Sequence, residues 1–107
     1  MSANLADKAT PDAFASPPHT ARRVATICNQ RGLHARAAAR FVKTVGQFDA
    51  EVLVRKNGTE VSGRSIMGLM MLAAAPGTVV ELSATGCQAE AAVTALTKLI
   101  ECKFDEE

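Results

Sequence analysis

The dipeptide Asn57-Gly58 lies between two β-rich stretches, "AEVLVRK" and "TEVSGR", and accepts the positive φ angles of a tight hairpin turn. A chain of 107 residues with an antiparallel pair at its middle can bury one modest core, but not two domains with a cleft between them. The flanking segments must therefore pair with that hairpin or cover it.

Upstream, "RRVATIC" has the β-branched content of a strand that begins at Arg22 and stops near Cys28, where "NQRG" forms a turn cluster. Ala38, Phe41, Val42 and Val45 then fall at i, i+3, i+4 and i+7, which predicts a helix over 35–46 ended by Gly46. Downstream, "SIMGLMMLAAA" reads as a short helix opened by Ser65 as N-cap and closed by Pro76-Gly77. "TVVELSA" alternates as a half-buried strand, with Val80 and Leu82 on one face and Glu81 on the other. After a Thr85-Gly86 turn, Ala89, Ala92, Val93, Leu96, Leu99 and Ile100 mark a final amphipathic helix, and "KFDEE" is expected to fray into solvent as an acidic tail over 105–107. The order βαββαβα suits an α+β domain with helices covering one face of a sheet.

Residues 1–21 mix Ala, Ser, Thr and Pro without apolar periodicity, so a disordered extension is expected ahead of a domain at 22–104. His19 in that extension has no acid or cysteine close by and reads as a solvated residue. No basic start leads into an apolar signal stretch and no 18-residue apolar run occurs, so a cytoplasmic protein without membrane insertion is expected. A net charge of +1, four phenylalanines and no tyrosine or tryptophan argue against nucleic acid as a partner. Cys28, Cys87 and Cys102 are odd in number and lack CxxC spacing; buried or inert thiols are expected rather than a disulfide framework or zinc site. No metal or cofactor is expected, since no metal constellation, phosphate-cradling loop or Ser-His-Asp set is present.

Three features could carry chemistry. His34 stands at or next to the N-cap of the first helix, in "NQRGLHARAAARF". Histidine is a mediocre cap, but a helix start offers unpaired N–H groups and partial positive charge to an anion. A neutral imidazole there can attack phosphorus, and the guanidinium of Arg36 suits the oxygens of the resulting phosphate. Taken alone, a surface histidine in such a setting is more often structural. Second, Arg36, Arg40 and Lys43 form one basic stripe along the helix, which serves either as a solvated face or as a docking surface for acidic partners. Third, "SIMGLMML" is apolar all round after its cap; either it is deeply buried, or some of Ile66, Met67, Leu69 and Met70 form an adaptable contact patch. Phosphorylation of Ser65 would add charge beside that patch. A nucleophilic histidine with an anion cradle but no general base or substrate pocket describes a group carrier, rather than an enzyme that turns over alone.

"NQRGLHARAAARFV" followed by "SGRSIMGLMMLAAAPG" resembles the HPr family, the phosphocarriers of the bacterial phosphoenolpyruvate-dependent phosphotransferase system, over about residues 22–104. The resemblance implies an open-faced β-sandwich, with a four-stranded antiparallel sheet and three helices on one face. It implies that His34 takes a phosphoryl group on Nδ1 from phosphorylated enzyme I and hands it to EIIA-type domains, that Arg36 accompanies it, and that the helix at 66–73 meets both partners. Ser65 matches the serine modified by HPr kinase/phosphorylase in some members, and a monomer is expected. Ala37 stands where the family motif usually has proline, which would pre-set φ in the first turn. Two alternatives stay open: a nitrogen-related regulatory carrier using the same chemistry, and a non-catalytic binding module in which His34 only caps.

Overall fold

A computed structural model describes residues 20–106. The strands are β1 (Thr20–Thr26), β2 (Glu51–Lys56), β3 (Thr59–Ser62) and β4 (Val79–Thr85), and the helices are α1 (Ala35–Val45), α2 (Ile66–Met71) and α3 (Ala89–Glu101). Their order is βαββαβα, as the sequence predicts. The strands form one antiparallel sheet in the order β1-β4-β2-β3, so the first and last strands pair at one end while the central hairpin extends the other.

Register follows from the period-2 pattern. Ala21 and Val52 both pair with Ala84, and Arg23 and Val54 both pair with Leu82, which puts Val52, Val54, Val80, Leu82, Ala84, Ala21 and Ala25 on one buried face. Against that face pack Phe41 and Val45 of α1, Leu69 of α2, and Val93, Leu96 and Ile100 of α3, in a single core cluster. Arg23 shares the buried register and reaches Glu90 of α3 at 2.5 Å, so its charge is paired at the edge of the core. The hairpin turn has φ 48° at Asn57 and 84° at Gly58, the left-handed geometry that this dipeptide tolerates.

Several sequence expectations need correction. The first strand begins at Thr20 rather than Arg22, because Thr20 and Ala21 pair with Thr85 and Ala84. Helix α2 stops at Met71, well before Pro76-Gly77: Ala73 turns to φ 53°, and the ammonium of Lys56 takes the carbonyls of Leu72 at 2.8 Å and Ala73 at 3.2 Å, satisfying the freed helix end. The three cysteines are free but exposed rather than buried: Cys28 and Cys87 lie in the loops after β1 and β4, and Cys102 caps the end of α3. The expected extension lies almost wholly outside the described residues, as does His19.

The largest correction concerns "KFDEE". Instead of fraying, Lys103–Asp105 form a tight left-handed turn with φ 58°, 55° and 60°, and Phe104 is fully buried. Left-handed backbone costs a non-glycine residue about 1–2 kcal/mol. Burying a phenylalanine contributes about 1.5–3 kcal/mol in return.

Candidate functional site

The loop from β1 to α1 is fixed at both ends. Ile27 exchanges backbone bonds with the turn before β4, accepting from Gly77 at 2.7 Å and donating to Thr78 at 2.8 Å. Asn29, buried, donates from Nδ2 to the carbonyl of Gly32 at 2.8 Å, and the N–H of Gly32 returns to the carbonyl of Asn29 at 3.2 Å. Gly32 then takes φ +62°, and a Cβ there would lie 2.3 Å from the carbonyl oxygen of Ala74. Only glycine lets the loop approach the segment after α2 this closely. Leu33 completes the junction by donating to the same Ala74 oxygen at 3.0 Å.

His34 follows as the N-cap of α1, in extended backbone with φ −79° and ψ −179°, and its carbonyl accepts the first helical bond, from Ala38, at 2.9 Å. Its Nδ1 accepts from the N–H of Arg36 at 3.4 Å, a long and weak bond, so the ring itself supplies the cap. On the other side of the ring, Nε2 lies 2.5 Å from Oε2 of Glu106. The side chains of the two residues are only 19% and 11% exposed. The other carboxylate oxygen accepts from Nδ2 of Asn29 at 3.0 Å. In a neutral ring this hydrogen-bond network places the proton on Nε2 and leaves the lone pair of Nδ1 facing the first turn of α1.

Glu106 was invisible to sequence reasoning. Burial pushes its carboxyl pKa up, but the hydrogen bonds from Asn29 and His34, together with the charge of Arg36, outweigh that and hold it below the ordinary glutamate range. Nothing in "KFDEE" announces this contact; the one available signal was Phe104, an apolar residue in an otherwise polar tail.

Two members of the basic stripe, Arg36 and Arg40, are brought to the same place. Arg36 and Arg40 border a depression with Gln30, Arg31, Asp105 and Glu106, and Arg40 lies 3.8 Å from the carboxylate of Asp105. A second depression beside His34 is lined by Arg31, Leu33 and Ala73–Ala75, the segment that follows α2. Ser65 caps α2, accepting from the N–H of Gly68 at 2.9 Å. Beyond it Ile66, Met67 and Met70 are 40%, 73% and 43% exposed, and Met71, which the sequence reading did not single out, is 77% exposed. Leu69 must be removed from the contact patch: it is fully buried, because it is the one position of this short helix that points at the core cluster. Among the described residues no group of three His, Cys, Asp or Glu is placed to hold a metal ion, and no helix is long and apolar enough to cross a membrane.

The site is an antiparallel sheet with helices packed against it, presenting a histidine whose Nδ1 accepts only one long bond, from the N–H of Arg36 at 3.4 Å, at a helix start. Residues 21–102 match the family model described as the PTS HPr component phosphorylation site. The phosphocarrier protein HPr of Neisseria meningitidis serogroup B is 55% identical over 80 residues, covering 75% of this chain and 90% of the relative. The phosphocarrier protein NPr of Shewanella violacea is 40% identical over 84 residues, covering 78% and 92%. The crystal structure of HPr-C-His from Thermoanaerobacter tengcongensis superposes with a TM-score of 0.78 at 46% identity, covering 81% of this chain and 98% of that one. The chain belongs to the HPr family, the phosphocarriers of the phosphotransferase system.

Proposed function

We propose that Nδ1 of His34 is the atom that carries the phosphoryl group, accepted from phosphorylated enzyme I and passed to a histidine of EIIA-type domains. The observation that carries this reading is the lone pair of Nδ1 at the start of α1, engaged only by the long 3.4 Å bond from the N–H of Arg36. When that lone pair attacks phosphorus, the bond from phosphorus to the donor breaks and its electron pair leaves with the donor. The transferred phosphoryl group meets the backbone donors and partial positive charge of the helix start, and the guanidinium of Arg36 can reach its oxygens. In the return step the acceptor's nitrogen attacks and the pair returns to Nδ1.

Partners dock, on this reading, against the basic side chains Arg36 and Arg40 and the exposed Ile66, Met67 and Met70. Arginine sets the orientation of acidic groups, while methionine adapts to more than one surface. Ser65 is the proposed control point, since a phosphate on its hydroxyl would exchange the Gly68 cap bond for a dianion at the edge of that patch. The carrier works as a cytoplasmic monomer in this account.

Incubation with phosphoenolpyruvate and enzyme I tests the reading. An acid-labile phosphoryl group should appear on the wild-type chain and chase onto an EIIA-type domain. Persistence of the label in a His34→Ala variant would sink the assignment. Parallel chases with sugar-type and nitrogen-related acceptors distinguish the transport branch from the regulatory one.

A further inference from the structure

We propose that Glu106 is a positioning residue for the chemistry of His34, holding the ring's orientation and keeping its proton on Nε2 so that Nδ1 stays nucleophilic. The inference rests on the reading of His34 as phosphoryl acceptor. A neutral imidazole has one N–H and one lone pair, and the partner of each nitrogen decides which is which. Here an acceptor, Oε2 of Glu106, sits at Nε2, and a donor, the N–H of Arg36, sits at Nδ1, so both contacts select the same tautomer.

The carboxylate is itself held in place. Oε1 accepts from the buried Asn29, whose other contact is the carbonyl of Gly32, two residues before His34. The loop that carries the histidine therefore also carries the clamp on its partner. From the other side, Glu106 arrives on three successive left-handed residues, a backbone that a solvated tail has no reason to adopt, and Phe104 anchors that turn in the core. Asn29, Glu106 and His34 form a chain in which an amide orients a carboxylate and the carboxylate orients an imidazole, the logic by which an acid serves a nucleophile's histidine in hydrolases.

The balance of the step gives the carboxylate a second use. As the Nδ1–phosphorus bond forms and the donor's bond breaks, Nε2 keeps its proton, and the positive charge that develops on the ring faces the Glu106 carboxylate. When the bond to phosphorus later breaks, the pair returns to Nδ1 and the neutral ring is restored with the same tautomer. Glu106 neither touches the phosphoryl group nor takes the proton.

The test uses full-length Glu106→Ala and Glu106→Gln chains with ¹⁵N-labelled histidine. In the unphosphorylated wild type, the ¹⁵N shifts of His34 should report the Nε2–H tautomer with an observable Nε2 proton. In Glu106→Ala the two nitrogens should move toward averaged shifts and the proton signal should disappear. In transfer from phosphorylated enzyme I, Glu106→Ala should lower the maximal rate about tenfold while the KM for the donor stays nearly constant, as expected for lost orientation rather than lost docking. Glu106→Gln keeps the shape but offers one uncharged acceptor oxygen to two donors, so it should fall between wild type and Ala. A wild-type maximal rate in either variant, or an effect confined to KM, overturns the inference. Failure of the wild type to become phosphorylated on His34 would instead remove the parent reading, and the tautomer measurement would still report on Glu106.

Discussion

Substituting Gly32 with alanine tests the link between fold and site, and Gly58 provides an internal control. Both glycines have positive φ, +62° and +84°, so both substitutions incur the left-handed penalty, about 1–2 kcal/mol. At Gly58 a Cβ meets nothing within 4 Å. At Gly32 it would lie 2.3 Å from the Ala74 oxygen and 3.1 Å from the Cα of Ala75, and backbone atoms cannot step aside as a side chain end can. The loop must lift, which breaks the 3.0 Å bond from Leu33 to Ala74. Leaving that pair unsatisfied costs about 1–3 kcal/mol more. Gly32→Ala should therefore destabilise by about 3 kcal/mol and Gly58→Ala by about 1 kcal/mol, against a total of about 5–15 kcal/mol for a domain of this kind. Urea unfolding at constant m measures both. Because His34 is two residues on, Gly32→Ala should also slow phosphorylation, while Gly58→Ala should not. Equal losses of stability within about 0.5 kcal/mol would refute the argument that close approach, rather than φ alone, requires glycine at 32.

Three further outcomes follow from the same geometry. Phe104→Ala should cost about 3–5 kcal/mol in chemical unfolding and expose the chain after Glu101 to carboxypeptidase, an effect that a solvated tail residue would not have. The carboxyl pKa of Glu106 is depressed in the folded state, so its contribution to stability is present above the ordinary glutamate range and is lost as pH falls through the folded value. Thermal unfolding across the acid limb should accordingly be less pH-dependent in Glu106→Gln than in the wild type. Leu69→Ala should lose about 2–5 kcal/mol as a core cavity, whereas Met67→Ala should leave the unfolding midpoint almost unchanged and raise the KM for enzyme I.

The architecture was legible wherever local chemistry and tertiary packing agree. Asn57-Gly58 specifies its turn without help, and the apolar stripe of α1 buries Ala38, Phe41 and Val45 as its spacing requires. His34 was legible as a helix cap with chemical potential because glycine turn, histidine and basic stripe are contiguous in sequence. The end of α2 was not, since its carbonyls are satisfied by Lys56, sixteen residues before Leu72 in the chain and outside any local window. The methionine-rich helix left its exposed face undetermined because every position is apolar, and only the neighbouring elements choose Leu69 for the core. Glu106 was the least legible of all. Its contact with His34 spans 72 residues and depends on left-handed backbone at Lys103, Phe104 and Asp105, for which neither Lys103 nor Phe104 has a local preference.

The central claim concerns one atom, and nitrogen-resolved NMR of the phosphorylated chain tests it most directly. With ¹⁵N-histidine incorporated and phosphoenolpyruvate and enzyme I supplied, a phosphorus coupling should appear on Nδ1 of His34, while Nε2 keeps its proton against Glu106. Coupling on Nε2 of His34, or on His19, would contradict the account, because it would place the phosphoryl group away from the helix start that is argued to hold it.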